Sequence, residues 1–438
     1  MSDPAPSAIS PGLSFYEAIL PERPAYPPLG GDARCDVAIV GGGFTGLSAA
    51  VHLAEMGADV RLIEAERMGD GASMRNGGQI GTGQRADVLE LEETYGFERA
   101  RELFQLAEEA KRHLLEFTAA RRIDMRYVPG QISASHKRSF VRDYRASADA
   151  LSERYGYGHA RFVDRDETAA LIGSGRYHAG IHDGGTGHID PASLVVGTAR
   201  AAAAAGARLH EQTRADRIVT EGRGLRIETA RGALRADRVL VAVNGYAGGL
   251  QRDYARHVMP IRSFIGATEP LDDETVIPGG EAVDDSRFVV RYFRRVTWPD
   301  GRSRLLFGGR ETYTHPRRTG QMPARLEDGV RRQIAEIYPR LRDVRITHAW
   351  GGSVAITMSR EPFVREVSPR VHAIGGFSGH GVMLSNFTGK LYADAVAGNR
   401  DRLAAFEAFR HAPFPGGPRM RPALLLLAMS WFALRDRL

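Results

Sequence analysis

Three glycines and one glutamate have the residue types and the spacing of a dinucleotide-binding site. Gly41, Gly43 and Gly46 follow the apolar run 37–40, which predicts a buried parallel strand, and the residues after it carry apolar side chains at helical spacing. A GxGxxG sequence at such a strand-to-helix turn lets the backbone approach a pyrophosphate. Glu64 ends the next predicted strand, where a carboxylate accepts hydrogen bonds from a free ribose 2′-hydroxyl. The sequence therefore predicts a dinucleotide bound near the N-terminus.

Two further segments indicate which dinucleotide binds. Residues 71–79 are a cluster of small and amide residues directly after the ribose-binding strand, where a long cofactor would turn. Residues 371–381 predict a strand that enters a second glycine-rich turn, and a helix is predicted over 382–396. The positive end of that helix suits the flavin pyrimidine edge, where negative charge accumulates on reduction. FAD is therefore favoured over a nicotinamide cofactor.

The order of motifs along the chain resembles that of the FAD-dependent D-amino-acid oxidase superfamily, whose members include glycine and sarcosine oxidases. The motifs are GGGFTGL, IEAERMGDGASMRNGGQ, HIDP at 188–191, AVNGY at 242–246, LLFGGR at 305–310, WGG at 350–352 and GGFSGHGV at 375–382. The N-terminal arm, RNGGQ and the C-terminal PFPGGPRMRPALLLLAMSWFALRDRL resemble the branch that contains gamma-glutamylputrescine oxidase. The resemblance implies oxidation of an amine by bound FAD.

We expect an α/β fold in which a Rossmann-type FAD-binding domain is interleaved with an antiparallel β-sheet substrate domain. The FAD-binding domain is assigned to 32–93, 185–255 and 345–405, and the substrate domain to 94–184 and 256–344. Residues 1–31 carry seven prolines and predict an irregular arm on the surface.

Residues 406–438 predict an apolar C-terminal helix. Its mostly apolar part, 422–434, is too short to cross a bilayer. We expect it to dock within the chain or on an oligomer partner, with a membrane interface as the alternative.

Composition narrows the function classes. The 59 basic and 53 acidic residues give a net charge of +6, and the arginines are scattered, so no nucleic-acid partner is predicted. A single cysteine, Cys35, precedes a buried strand, which indicates an inert thiol and a reducing compartment. We find no apolar stretch of about 18 residues and no signal pattern, so we expect a cytoplasmic protein without a membrane span.

The chemistry of a flavin amine oxidation needs no acid–base triad, because the protein only positions the amine over the cofactor. His380 stands in the glycine turn expected at the flavin and is the best active-site candidate, with a structural cap on that turn as its alternative. Gln79 is expected at the flavin ring edge. Tyr292 and Arg310, with Arg294, lie on predicted roof strands and are candidates for substrate recognition or for a domain interface.

The cofactor is expected to be noncovalent, because Met74, Arg75 and Asn76 stand where histidine-linked relatives place their histidine, and no cysteine lies in the C-terminal flavin segment. The residues expected to contact FAD are Gly41, Gly43, Phe44, Thr45, Gly46, Glu64, Ala65, Ser73, Asn76, Gly77, Gly78, Gln79, Ala215, Asn244, Gly376, Ser378, Gly379, His380, Gly381 and Val382.

A group of histidines and aspartates between His178 and Asp190 is spaced like a metal cluster. His178 and His182 would share one face of a helix, but the intervening glycines favour strands and turns. We therefore predict no metal site.

Two departures from sarcosine oxidases bear on the substrate. Those enzymes carry a carboxylate-binding lysine two residues after the GHG turn, where this chain has Met383, and an oxygen-activating lysine where it has Leu306. A substituted amine of the gamma-glutamylputrescine kind is therefore favoured, and the acceptor is either O2 or another electron carrier. A D-amino-acid or glycine/sarcosine-type oxidase, with Arg294 or Arg310 on the carboxylate, and a flavin-bearing subunit of a larger dehydrogenase stay open as alternatives.

Overall fold

The structure is a computed structural model that describes residues 14–297, 300–312, 326–416 and Met420, Ala423, Leu424 and Leu427, with the backbone alone for 310–312. The strands in these residues are β1 (Ala33–Val40), β2 (Val60–Ile63), β3 (Val128–Ser135), β4 (Ala160–Val163), β5 (Ala179–His188), β6 (Arg208–His210), β7 (Arg217–Glu221), β8 (Gly224–Thr229), β9 (Gly232–Val241), β10 (Met259–Thr268), β11 (Ala282–Asp285), β12 (Tyr292–Thr297), β13 (Ser303–Thr312), β14 (Ile346–Ile356), β15 (Phe363–Ser368) and β16 (Val371–Gly375).

The α-helices of the same residues are α1 (Phe15–Ile19), α2 (Phe44–Glu55), α3 (Val88–Tyr95), α4 (Phe97–Ala120), α5 (Val141–Glu153), α6 (Arg165–Ile172), α7 (Pro191–Ala204), α8 (Arg252–His257), α9 (Leu326–Ile337), α10 (Gly381–Val396) and α11 (Asp401–Glu407).

The first sheet has the parallel core of a dinucleotide-binding fold. Its strand order is β15-β16-β9-β1-β2-β6, and β7 and β8 extend it antiparallel beside the start of β9. The five strands from β16 to β6 are parallel, and their apolar residues are buried on both faces. The carboxyl ends of β1, β2 and β9 therefore meet at one edge, where such folds bind ligands.

The second sheet is mostly antiparallel. Its order is β14-β10-β13-β12-β11-β3-β5-β4, and the β11–β3 pair is its parallel pair. The chain passes between the two sheets four times, with β1–β2, β6–β9 and β15–β16 in the first sheet and the remaining strands in the second. The predicted interleaved α/β fold is confirmed.

One strand lies in a different sheet from the one expected. The sequence assigns 345–405 to the FAD-binding domain, but β14 pairs along its whole length with β10 of the second sheet. The hydrophobic pattern of a strand does not show which strand it pairs with, so the sequence alone could not assign β14 to one of the two sheets. We propose the domain division predicted from the sequence with 346–356 moved to the substrate domain.

Helices α2, α4, α7 and α10 pack with the first sheet into the largest apolar core. Two of them, α2 and α10, cross closely at Gly389, where a Cβ atom would lie 2.4 Å from the carbonyl oxygen of Thr45. Helix α4, which the sequence places in the substrate domain, buries Leu103 and Leu114 in this same core. The HIDP motif begins α7: Asp190 accepts the amide of Ala192 at 2.9 Å, and a proline takes the first helical position.

The N-terminal arm differs from the expected irregular surface segment. Residues 15–19 form α1, which Ser14 and Glu17 cap reciprocally. Tyr16 is fully buried and packs edge-on against Trp350 at a ring-centroid distance of 5.5 Å. The described part of the arm, from Ser14 onwards, is therefore packed on the fold at α1.

Most of the expected C-terminal helix, including most of 422–434, lies outside the described residues. Across the part of the chain that the structure covers, we find no helix long and apolar enough to cross a membrane.

Candidate active site

A cavity of about 490 Å³ opens at the carboxyl edge of the parallel strands. Val40 ends β1, Ile63 ends β2 and Ala242 follows β9, and all three line it. Ser353 and Ala355 of β14 close the opposite side. The cavity thus lies where the two sheets meet, which suits a cofactor shared by two domains.

The glycine turn before α2 leaves no room for side chains. Gly41 has a φ of +113°, and a Cβ atom there would lie 2.6 Å from the carbonyl oxygen of Ala242. A Cβ atom on Gly46 would lie 2.0 Å from the oxygen of Gly41, so only glycine lets α2 pack this closely. The N-cap residue of α2, Gly43, has no side chain to cap the helix, and the first residues of α2 line the cavity. This open helix start fits a diphosphate.

Glu64 lies at the end of β2 and lines the same cavity. Its carboxylate accepts the amide of Gly42 at 2.7 Å and that of Glu66 at 3.0 Å. Burial raises the pKa of Glu64, and the hydrogen bond from Gly42 opposes this most strongly. The carboxylate is thus fixed beside the turn, where it would bind the ribose.

A second helix start faces the cavity from the other end. Gly381 and Val382 of α10 line it, and no side chain caps this helix. The preceding turn is held by Asn244, whose Oδ1 accepts the amide of Gly376 at 3.0 Å. The dipoles of α2 and α10 therefore act on one cavity, as the sequence predicts.

The segment 71–79 forms the wall between these two ends. Asn76 orders it by donating to the oxygen of Ser73 at 2.9 Å and by accepting the amide of Gly78 at 2.8 Å. Ser73 accepts the amide of Phe44 at 3.0 Å, which ties the wall to the start of α2. Met74 is buried in the core and does not line the cavity.

Gln79 and Tyr292 lie beside a second, much smaller cavity of about 10 Å³. The Gln79 side chain donates to the carbonyl of Val283 at 3.0 Å, so it connects the wall segment to β11. The Tyr292 ring fills the space beside Gly77 and Gly308, where added Cβ atoms would lie 2.8 Å and 2.2 Å from it. Tyr292 thus lies against the wall segment of the cofactor cavity.

Arg294 is buried, and its guanidinium is hydrogen-bonded to two side chains. Its guanidinium donates to the hydroxyl of Tyr16 at 2.9 Å and to Nδ1 of His188 at 2.6 Å. Nε2 of His188 lies 2.9 Å from the carbonyl oxygen of Gly280, so the neutral Nε2–H form of the ring satisfies both contacts. Burial, with the charge of Arg294 second, lowers the pKa of His188 to about 3.

His380 turns away from the main cavity. Its Nε2 lies 3.0 Å from the carbonyl oxygen of Gly83, and it is not among the lining residues. Burial, with the charge of Arg85 second, lowers the pKa of His380 to about 4. This placement matches the structural alternative, a residue that holds the turn, better than an active-site side chain.

The other predicted site residues divide into three groups. Those that line the main cavity are Gly41, Gly43, Phe44, Thr45, Glu64, Ala65, Ser73, Asn76, Ala215, Asn244, Ser378, Gly379, Gly381 and Val382. Those that shape its walls from behind are Gly46, Gly77, Gly78, Gln79 and Gly376. Arg310 lies on β13, but its side chain is outside the described residues.

Several lining residues were not selected from the sequence. Tyr246 lies within the AVNGY motif, which could have indicated it. Thr213 and Asp216 follow β6 and carry no recognisable local signal.

The histidine and aspartate group has other roles. Asp183 accepts the hydroxyl of Tyr157 at 2.8 Å, and His182 lies 3.7 Å from Glu281. Within the described ranges we find no group of three or more His, Cys, Asp or Glu side chains placed to hold a metal ion. Cys35 is buried, which raises the pKa of its thiol to about 12.

Comparison with known proteins identifies the family. Residues 36–395 match the family described as FAD dependent oxidoreductase (DAO). The chain is 56% identical to the probable oxidoreductase OrdL of Rhizobium meliloti over 98% of this chain and 99% of that protein. It is 32% identical to the gamma-glutamylputrescine oxidoreductase of Escherichia coli over 97% of this chain and 98% of that protein.

Among solved structures, glycine oxidase from Geobacillus kaustophilus has the same fold. The TM-score is 0.70 at 22% identity, over 86% of this chain and 99% of that one. The open helix starts, the glycine turn and the fixed Glu64 agree with the cofactor of the matched family. The chain therefore belongs to the DAO family of FAD-dependent oxidoreductases, enzymes that oxidise amine CH–NH and CH–NH2 groups, and it uses FAD.

Proposed function

We propose that the enzyme oxidises a substituted amine that carries a gamma-glutamyl group, of the gamma-glutamylputrescine kind. The observation that carries this proposal is the 32% identity to the gamma-glutamylputrescine oxidoreductase, which extends over 97% of the chain. When bound, FAD accepts the hydride from the amine carbon, and water hydrolyses the imine that results. The protein has to hold the amine and exclude alternative substrates.

The engaged state of Arg294 argues against a small amino acid as the substrate. A glycine- or D-amino-acid-type oxidase would need a cation aimed at a carboxylate next to the reacting carbon. Arg294 lines the small cavity, but its guanidinium already donates to Tyr16 and His188. If Arg294 turned to bind a substrate carboxylate, Nδ1 of the neutral His188 would lose its hydrogen-bond donor. We therefore rank this alternative second.

Met383 takes the position at which sarcosine oxidases carry their carboxylate-binding lysine. Met383 is fully buried in the apolar core and does not line the main cavity. Its identity therefore says nothing about the charge next to the substrate, and a lysine there would be a buried cation. Met383 therefore does not bear on the choice between a small amino acid and a gamma-glutamyl amine.

Leu306 lines the small cavity together with Ile265 and Phe293, so the wall behind Tyr292 is apolar.

We propose that either O2 or another carrier reoxidises the enzyme, that it is cytoplasmic, and that it works as a free-standing enzyme or homo-oligomer. The alternative of a subunit in a larger dehydrogenase is tested by size exclusion of the chain expressed alone. Anaerobic bleaching of the bound FAD by a panel of amines tests the proposed substrate class.

A further inference from the structure

Two arginines near the start of α10 have no acidic partner. Arg85 and Arg360 are both partly buried, yet neither side chain forms an ion pair or a hydrogen bond with any residue that the structure describes. Other arginines of the chain do have such a partner: Arg121 binds Glu55 at 2.6 Å, and Arg154 binds Glu92 at 2.5 Å. The guanidinium nitrogens of both residues keep contact with solvent, so an anionic ligand can reach them.

The two arginines reach the same place from distant segments. The loop before Arg85 contacts the turn 376–380 through the Gly83 oxygen, 3.0 Å from Nε2 of His380. The turn before Arg360 contacts it through Thr357, whose amide lies 3.3 Å from Oγ of Ser378. Both arginines are therefore held beside the turn that begins α10 and borders the cofactor cavity.

The backbone and the charges at this place are unusual. Arg360 has a φ of +64°, a left-handed conformation that is uncommon for a residue other than glycine. Its guanidinium lies 5.4 Å from the ring centre of Phe288, which limits its directions. Burial, with the charge of Arg360 second, lowers the pKa of Arg85. The two cations are thus close enough to repel each other.

A carboxylate with a free oxygen lies beside them. Oδ1 of Asp284 accepts hydrogen bonds from Gln131 at 2.8 Å and from Ser133 at 3.0 Å. Within the described part of the chain, Oδ2 of Asp284 has no hydrogen-bond partner, and Arg85 is close enough to act on Asp284 through its charge without pairing with it. Asp284 follows Val283, whose carbonyl oxygen binds Gln79 at the wall of the cofactor cavity.

We propose that Arg85, Arg360 and Asp284 form a binding site for the zwitterionic α-amino-acid end of the substrate. The carboxylate of that end binds the two guanidinium groups, and its ammonium group binds Oδ2 of Asp284. The inference rests on the proposed function, because a gamma-glutamyl amine carries such an end several bonds away from the amine that is oxidised.

The test measures binding separately from turnover. Gamma-glutamyl-n-butylamide has the amino-acid end of gamma-glutamylputrescine but lacks the terminal amine, so it cannot be oxidised there. Its binding to the FAD-loaded enzyme is measured by calorimetry for the wild type, Arg85→Met, Arg360→Met and Asp284→Asn. N-butylpropionamide, which lacks the charged end, is the control ligand. Arg142→Met is the control variant, because that side chain is 94% exposed on α5.

We expect each of the three site variants to weaken binding of the butylamide roughly tenfold to a hundredfold, as loss of a charge-assisted hydrogen bond does. Arg142→Met should bind like the wild type, and Arg85→Lys should recover part of the affinity. FAD content and melting temperature are recorded for each variant, so that a misfolded protein is recognised. The inference is overturned if the wild type does not bind the butylamide, or if the folded arginine variants bind it as tightly as the wild type.

The same proteins separate this inference from the proposed function. If the butylamide binds in an arginine-dependent manner but gamma-glutamylputrescine does not bleach the flavin, the amino-acid site stands and the proposed substrate is wrong. If gamma-glutamylputrescine bleaches the wild type and both arginine variants at the same low concentrations, the function stands and the amino-acid site is wrong.

Discussion

Oε2 of Glu64 lies 2.7 Å from the amide nitrogen of Gly42, so one carboxylate links the end of β2 to the glycine turn that begins α2. Both ends of this contact line or adjoin the cofactor cavity. The glutamate holds the turn, and we propose that it also presents an acceptor to the ribose of FAD.

Replacement of Glu64 by Gln should weaken FAD binding by about one to two orders of magnitude. The variant keeps the size of the side chain but loses the charge, and one charge-assisted hydrogen bond is worth roughly 1.5 to 3 kcal/mol. FAD content after dialysis, from the ratio of flavin to protein absorbance, gives the result. Glu93→Gln, at an exposed position on α3, is the control. Wild-type FAD content in the Glu64 variant would remove this residue from the site.

Acid precipitation of the protein should release all of the yellow flavin into the supernatant. No residue among those that line the main cavity is a cysteine or a histidine, so the described site offers neither of the usual side chains for a covalent flavin link. His380 is bonded to Gly83 instead, and Cys35 is buried on β1. Colour that stays in the protein pellet would contradict a noncovalent cofactor.

The enzyme should lose stability in mild acid, in part through His188. The folded-state pKa is about 3, below the ordinary value of 6.5, because burial and Arg294 oppose the cation. The unfolded chain therefore takes up a proton below pH 6.5 that the folded chain does not. The contribution of His188 to the free energy of unfolding is fully present above pH 6.5. It falls by roughly 1.4 kcal/mol for each pH unit as the pH decreases toward 3.

Urea unfolding of the FAD-loaded enzyme at pH 5, 6 and 7 measures this slope. His188→Gln should flatten it, whereas the exposed His159→Gln should not. Burial also lowers the pKa values of His52, His113 and His380. These residues therefore maintain part of the pH dependence of stability in the His188 variant. An unchanged slope in the His188 variant would show that this ring titrates alike in both states.

Binding of the gamma-glutamyl end should weaken below about pH 6. Burial raises the pKa of Asp284 to about 6, against the hydrogen bonds from Gln131 and Ser133 and the charge of Arg85, while Asp285 adds to the rise. Protonation removes the negative charge that would hold the ammonium group. The affinity for gamma-glutamyl-n-butylamide should therefore rise from pH 5 to pH 7, and Asp284→Asn should remove that dependence. The same pH dependence in the Asn variant would assign it to another group.

Local signals made much of the fold and cofactor site predictable. The glycine turn, the strands around it and Glu64 are close in sequence, so their spacing fixes their geometry. The burial of Tyr16 against Arg294 could not be predicted, because it joins residues 278 positions apart. The direction of the His380 ring could not be predicted for a related reason. The turn determines the position of its Cα atom, but the contact with the distant Gly83 determines the orientation of the ring. The convergence of Arg85 and Arg360 beside the turn 376–380 likewise exists only in the folded chain.

The central claim is that the substrate is an amine with a distal gamma-glutamyl group. The most direct measurement is anaerobic bleaching of the bound FAD, followed by absorbance, with gamma-glutamylputrescine, putrescine, sarcosine, glycine and D-alanine compared at equal concentrations. We predict rapid bleaching by gamma-glutamylputrescine, slow bleaching by putrescine, and little by the three amino acids. Efficient bleaching by sarcosine, glycine or D-alanine, with no response to gamma-glutamylputrescine, would contradict the claim and favour an amino-acid oxidase.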